Sequence, residues 1–342
     1  MKNLLKKLLK RNETYIFLIL VLLALLIQIR SGQFFTPNNI VDIASAMIVP
    51  GMFAVAEFLV ILSGGIDVSF PALASLAAFA TTNYLLNIGY EGSVIVPILM
   101  AIVIGALLGM INGFFIGYMN FPAMIVTLGT SSIFKGIMQG TLKSKQLAVI
   151  PDGMSSFGTA ALFTATNSSS GLSSRLPVAF LVLVAVVALT FFVLKYTMFG
   201  RGIYAIGGNE SSAYNAGFHV KRTKFLLYVF SGIISSVAGI IRVCMMQQCH
   251  PTNMLGMEMN IIAGVVLGGT AIVGGFGTLT GCMLGTLLIV LVENSMILIG
   301  VPVVWKDAFV GALIVIGTAV SAYQSLHKGQ AAGKKKKREE AA

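Results

Sequence analysis

The chain reads as an all-α polytopic membrane protein of about ten spans. Three observations predict this. The 342 residues are 56% hydrophobic and only 10% charged, against roughly 25% charged in an ordinary soluble domain. The apolar residues fall in many runs of roughly 20, the length that spans a bilayer. The 37 glycines suit helices that approach closely in lipid, where small side chains line the contacts. So few charges cannot cover a water-soluble surface, which excludes a soluble enzyme, a disordered chain and a coiled coil.

The runs lie at about 14–30, 40–62, 66–88, 93–116, 121–140, 177–196, 223–246, 257–276, 280–299 and 303–323. The first follows a lysine-rich start like a signal peptide. No small-residue cleavage site follows at Gln28–Gln33, so it reads as a retained helix. Only Ser63-Gly64-Gly65 separates the second and third runs. The eighth is glycine-rich from Ile261 to Gly277 and reads as a broken helix.

Orientation follows from the basic residues. The chain carries 23 Lys+Arg against 12 Asp+Glu, a formal charge of +11. With the N-terminus inside, sixteen basic residues fall on cytoplasmic segments and five on external ones, while Lys135 and Arg242 sit within spans. This bias predicts a cell-membrane protein with both termini cytoplasmic. The chain divides into a cytoplasmic segment 1–13, a transmembrane domain 14–323 and a basic tail 324–342. The tail reads as a solvated end with weak attraction to anionic lipid. No basic run is interleaved with aromatics, so nucleic acid is not an expected partner.

Two loops are long. Residues 141–176 are expected outside, rich in Ser, Thr, Gly and Ala, and flexible around Asn167–Gly171. Residues 197–222 are expected inside and ordered. There Asn209 suits an N-cap, Glu210 the positive end of a helix dipole and Gly217 a helix stop, predicting a short helix from about Glu210 to Ala216. A mere connector is the alternative.

Gly105, Gly109, Gly113 and Gly117 recur every four residues, a groove for another helix. Gly277, Gly281 and Gly285 repeat the spacing. The stretch Gly268–Gly277 superficially resembles a phosphate loop, but no Gly-x4-Gly-Lys-Ser/Thr occurs in the sequence. Three cysteines and three histidines show no metal-ligand spacing. No metal is expected, and no paired nucleophile and base suggests catalysis.

Ionisable residues near spans point to function, because lipid burial of charge is costly. They are Glu57, Asp67, Lys135, Arg242, Glu258, Glu293 and Asp307. Asp67 is placed to cap the third helix or to gate. Glu57 and Glu293 lie deeper and are expected to face a polar path. Arg242 can pair with one of them or snorkel outward.

Four segments carry a resemblance. Ser63-Gly64-Gly65-Ile66-Asp67-Val68-Ser69, Pro122–Thr130, Tyr204-Ala205-Ile206-Gly207-Gly208-Asn209-Glu210 with Ala216–Lys221, and Val265–Thr270 with Gly274–Thr278 occur in that order. Together they resemble the ribose/galactose/xylose-type permeases of ABC importers. The resemblance implies a pair of ten-span subunits, identical or paralogous, around a translocation path. It also implies an ATPase chain, tandem-cassette in type, that binds ATP and Mg, so the permease needs no cofactor of its own. An extracytoplasmic binding protein would deliver the sugar. Gly207, Gly208, Asn209, Glu210, Tyr214 and Gly217 then belong to the coupling segment that receives the ATPase's motion, and Glu57, Asp67 and Glu293 to the path or its gate. Departures from the family pattern at Glu57, Glu293, Pro71 and Phe276 widen the substrate to a modified sugar, a nucleoside or a sugar-derived signal. An ion-coupled secondary transporter would also use buried acids and glycine-broken helices, and a scaffold protein is the remaining alternative.

Overall fold

The computed structural model describes residues 12–315, apart from 141, 143, 144, 168–170, 297, 299, 306, 307, 313 and 314. The N-terminal lysines, Asp307, the tenth expected span beyond 315 and the basic tail lie outside the described residues. In chain order the helices begin α1 Asn12–Ser31, α2 Pro37–Ala46, α3 Ile48–Leu62, α4 Phe70–Asn87 and α5 Ile95–Gly113. A single π-helical stretch, Phe114–Tyr118, extends α5. Then come α6 Ala123–Gly140, α7 Asp152–Thr159, strands β1 Ala161–Thr166 and β2 Ser173–Pro177, and α8 Ala179–Tyr196. The remainder is α9 Met198–Gly208, α10 Glu210–Asn215, α11 Val220–Met246, α12 Glu258–Leu267 and α13 Leu279–Ser295.

Among the described residues, four helical stretches are long and apolar enough to cross a membrane: Glu13–Ser31, Ile95–Tyr118, Ala179–Tyr196 and Val220–Met246. A fifth is bent, α2 and α3 meeting at 41°. The second expected span is therefore not one straight helix. Pro50 explains the break, since its ring clashes with the carbonyl four residues earlier, at Ala46, where α2 ends. The third expected span starts at Phe70 rather than Ile66, with Pro71 in the first turn, where a fixed φ and a missing N–H cost nothing. The eighth is the broken helix expected. After α12 the chain runs without regular structure from Gly268 to Thr278.

α3 is the axis of the bundle. Every residue from Ile48 to Leu62 except Pro50 is buried, as a helix that is apolar all round requires. Phe53, Phe58, Phe70, Phe79 and Phe134 are fully buried around it. Leu22 and Leu26 of α1, Val103 and Leu107 of α5, and Leu189 and Phe192 of α8 point outward, the faces that lipid would cover.

The glycine stripe packs as its spacing predicts. A Cβ on Gly109 would come within 2.5 Å of the Tyr228 carbonyl, on Gly113 within 2.7 Å of the Phe225 carbonyl and on Gly117 within 2.9 Å of the Lys221 carbonyl. Numbers rise along α5 as they fall along α11, so the two helices lie antiparallel with backbones nearly touching. Gly281 and Gly285 play the same part between α13 and the end of α12, against Gly268 and Gly264.

The described residues of the long connection expected at 141–176 carry regular structure on either side of the 167–171 stretch expected to be flexible. They hold α7 and an antiparallel hairpin that pairs Thr164 with Arg175. Leu147 bridges to Cys249, and the Ser155 hydroxyl donates to Gln247 Oε1 at 2.5 Å. The serines at 168–170 lie outside the described residues. The contacts sort the connections into two groups. One gathers 141–177 with 247–250 and with Ser45 on α2, whose hydroxyl reaches the Arg175 carbonyl. The other gathers the 63–65 turn, residues 204–222 and the 270s. Glu13 joins it, accepting from the Thr278 and Thr280 hydroxyls at 2.5 and 3.0 Å.

Candidate functional site

The segment 197–222 folds as two helices where the sequence suggested one. α9 was missed, although Thr197 signals its start by accepting the Gly200 amide at 3.1 Å. Four glycines among its eleven residues hide it, because glycine is a weak helix former. α10 matches expectation closely. The Asn209 side chain accepts the Ser212 amide at 2.8 Å, and Gly217 follows the helix with φ of +88°. A left-handed residue of this kind is where glycine ends helices.

Ala213 turns inward onto Ile206 and Val220, which pins α10 to α9 and α11. Tyr214 points the other way and is 73% exposed. Glu210 is also on the outer side but is held within the chain, paired with Lys224 Nζ at 2.6 Å. Beside them lies a groove of about 690 Å³ lined by Tyr118, Asn120, Glu210, Tyr214, Phe218 and Lys221 among others. It brings together the connection after α5 and the one around α10. The turn after α12 adds Val273 and Phe276, both largely exposed, which sequence reasoning had not singled out as a surface.

Tyr204 of α9 reaches that turn, its hydroxyl donating to the Gly277 carbonyl at 3.1 Å. Burial raises its pKa above the ordinary tyrosine value, so it remains a donor.

The buried acids lie behind this surface. Glu57 and Asp67 are 0% and 3% exposed. Glu57 Oε1 accepts the Asp67 amide at 3.1 Å. Asp67 Oδ1 accepts from the Ser69 amide at 2.7 Å and the Ser69 hydroxyl at 2.6 Å, and that hydroxyl accepts from Asn112 Nδ2 at 2.8 Å. Thr127 ties in α6 by accepting the Val68 amide at 3.2 Å. Asp67 thus sits at the start of α4, where capping was expected, although it bonds the residue before the helix. One network clasps α3, α4, α5 and α6 around the turn 63–69. Glu57, expected to face a polar path between two subunits, is fully buried within the single chain.

Glu293 stands apart, on α13, where Oε1 accepts from Asn260 Nδ2 at 3.0 Å and links it to α12. Arg242 pairs with neither acid; its Nε donates to Asn253 Oδ1 at 3.0 Å. All three cysteines are free and buried, and no metal-holding group of His, Cys, Asp or Glu occurs among the described residues. The assembled side chains can clasp, bend and dock. Nothing in them pairs a nucleophile with a base.

Known proteins agree with a transport role. The chain is 31% identical over 302 residues to the ribose import permease protein RbsC of Escherichia coli (strain K12), covering 88% of this chain and 91% of that protein. It is 29% identical over 304 residues to the D-allose transport system permease protein AlsC of the same strain, 89% of each. It is also 29% identical over 310 residues to the autoinducer 2 import system permease protein LsrC of Yersinia pseudotuberculosis serotype O:3 (strain YPIII), 91% of this chain and 84% of that one. No solved structure matches. Residues 39–318 match the family model described as branched-chain amino acid transport system / permease component. That range takes in α2 to α13, the acid network and the α9–α10 segment alike, and the chain belongs to this family of membrane transport permeases, as a permease of the sugar ABC importer type.

Proposed function

We propose that the chain is the membrane-spanning subunit of an ATP-driven importer for a sugar or sugar-like solute. It works as one of two permease copies, with a separate ATPase that carries ATP and Mg and an extracytoplasmic protein that delivers the solute. The observation that carries this reading is the capped α10, rigidly seated on α9 and α11, with Tyr214 projecting beside an open groove. A motor chain acts on a membrane subunit through a stiff element of this kind. Val273 and Phe276 extend the same docking face.

Ten spans with both termini cytoplasmic remain the topology we favour. The division of the connections into two groups supports it, because the group holding 197–222 is the one the basic residues assign to the cytoplasm. Cysteines at Ser212 and Ser173 should then label from opposite sides. In the same reading Glu57 and Asp67 brace a gate behind α10, and Glu293 steadies α12 against α13.

The decisive experiment is uptake of labelled D-ribose and D-allose by the chain reconstituted with the ATPase and binding protein that co-purify with it. Uptake should need ATP and the binding protein. Uptake that survives ATP depletion and collapses with an uncoupler would instead show ion coupling. A sugar-derived signal is a second substrate reading, favoured by the likeness to an autoinducer 2 permease, and competition with the labelled sugars tests it.

A further inference from the structure

Glycines from three turns far apart in sequence, Gly64, Gly207–Gly208 and Gly274–Gly275, meet at one point. Gly207, the penultimate residue of α9, has no room for a side chain: a Cβ there would strike the Leu62 carbonyl and approach the Gly275 amide to 2.5 Å. A Cβ on Gly274 would lie 2.6 Å from the Gly64 amide and 3.0 Å from Gly207 Cα, and one on Gly275 would lie 2.6 Å from Gly208 Cα. The Gly275 amide donates to the Leu62 carbonyl at 2.9 Å. Gly64, Gly274 and Gly275 all have positive φ, between +77° and +88°, which L side chains rarely adopt. Backbone therefore touches backbone among three segments, with no side chain between them to yield.

We infer that this junction is the strut that passes motion of α10 into the membrane domain, with Gly207 and Gly274 its positioning residues. The inference rests on the proposed role of α10 as the ATPase's contact. α10 follows α9 directly, with Asn209 between them, so a push on α10 moves Gly207. A contact without intervening side chains has little compliance, because close-packed atoms transmit strain rather than absorb it. The displacement then has two outlets. One is the turn 63–69, which begins at Leu62 and ends in the Glu57–Asp67 clasp. The other is the irregular segment 268–278, which Tyr204 holds at its far end through the Gly277 carbonyl. Both are breaks in helical regularity, where a chain bends at least cost. Exposed tips of loops normally move independently; here they are locked into one body.

Gly136 of α6, outside the coupling segment, supplies a control. A Cβ at that position meets nothing within 4 Å, so Gly207→Ala and Gly136→Ala make the same chemical change, and only the first wedges the junction. The test is hydrogen exchange of the full chain in lipid nanodiscs, with and without its co-purified ATPase and a non-hydrolysable ATP analogue. In the wild type and in Gly136→Ala, ATPase binding should slow exchange at 204–222 and also change it by about tenfold in peptides covering 62–69 and 270–278. In Gly207→Ala the change should stop at 204–222, with ATPase affinity retained. A wild-type response confined to 204–222 would overturn the inference, as would a Gly207→Ala chain that responds as the wild type does. If Gly207→Ala fails to insert, the wild-type peptides decide alone. No protection at 204–222 in the wild type would reject the docking role of α10 and the strut with it, an outcome distinct from a response that reaches α10 and goes no further.

Discussion

Two sets of glycines bring backbones together in this protein, and they differ in kind. Along α5, Gly105, Gly109, Gly113 and Gly117 form one regular stripe against a single partner, α11. At the junction, Gly64, Gly207 and Gly274 come from three turns and meet with no periodicity at all. The stripe is an extended seam whose strength is the sum of many helical contacts. The junction is a point, and it joins the turn after α3, the end of α9 and the segment after α12. A seam holds a structure; a point contact between turns can relay a displacement.

The comparison can be broken at either end. The largest effect is expected in the seam. Gly109→Leu would force a branched side chain against the Tyr228 carbonyl and lever α5 from α11, costing about 3 kcal/mol, the upper end of the overpacking range. Thermal unfolding in detergent should show a clear fall in midpoint. An unchanged midpoint would mean that the seam contributes little and that the stripe is incidental.

At the junction Gly207→Ala should destabilise less, by about 1–2 kcal/mol, because it adds a single methyl where Gly109→Leu adds a whole branched side chain. Gly208→Ala should be neutral or slightly stabilising, by about 0.5 kcal/mol, since it restricts only the unfolded chain. Equal midpoints for the two variants would erase the distinction between wedged and open positions.

The acid clasp behind the junction sharpens the contrast through substitution of Glu57. Glu57→Ala leaves the buried Asp67 amide without its acceptor and should cost about 1–3 kcal/mol. Glu57→Gln keeps an oxygen in place and should cost less. If alanine and glutamine behave alike in the same unfolding assay, the hydrogen bond is not what holds the turn.

The smallest effect on stability is expected at Tyr214. Tyr214→Ala removes a side chain that is mostly exposed and should leave the midpoint within about 0.5 kcal/mol of wild type. Its effect should appear in a pull-down with the ATPase, where loss of an aromatic anchor is worth about 1–2 kcal/mol, or roughly tenfold in affinity. Weakened binding with unchanged stability would separate the docking surface from the strut behind it.

Much of this was readable before any coordinates. The membrane class followed from composition, the α5 seam from a four-residue period, and α10 from Asn209 and Gly217, each a local rule that a stretch of chain obeys by itself. Four things were not readable. The bend at Met47 needed Pro50 to be set against the carbonyl of Ala46 within one helix. The folded 141–177 region needed its partners at Gln247 and Cys249, about a hundred residues away. Hydropathy marks the Glu57 charge as buried without saying what surrounds it, and only tertiary packing set it beside the Asp67 amide. Three separate Gly-Gly pairs were visible as motifs, but each is an ordinary turn when taken alone. Only the packing of α3, α9 and the segment after α12 could place them within van der Waals reach, because contact between distant segments depends on where whole helices lie, and no local pattern encodes that.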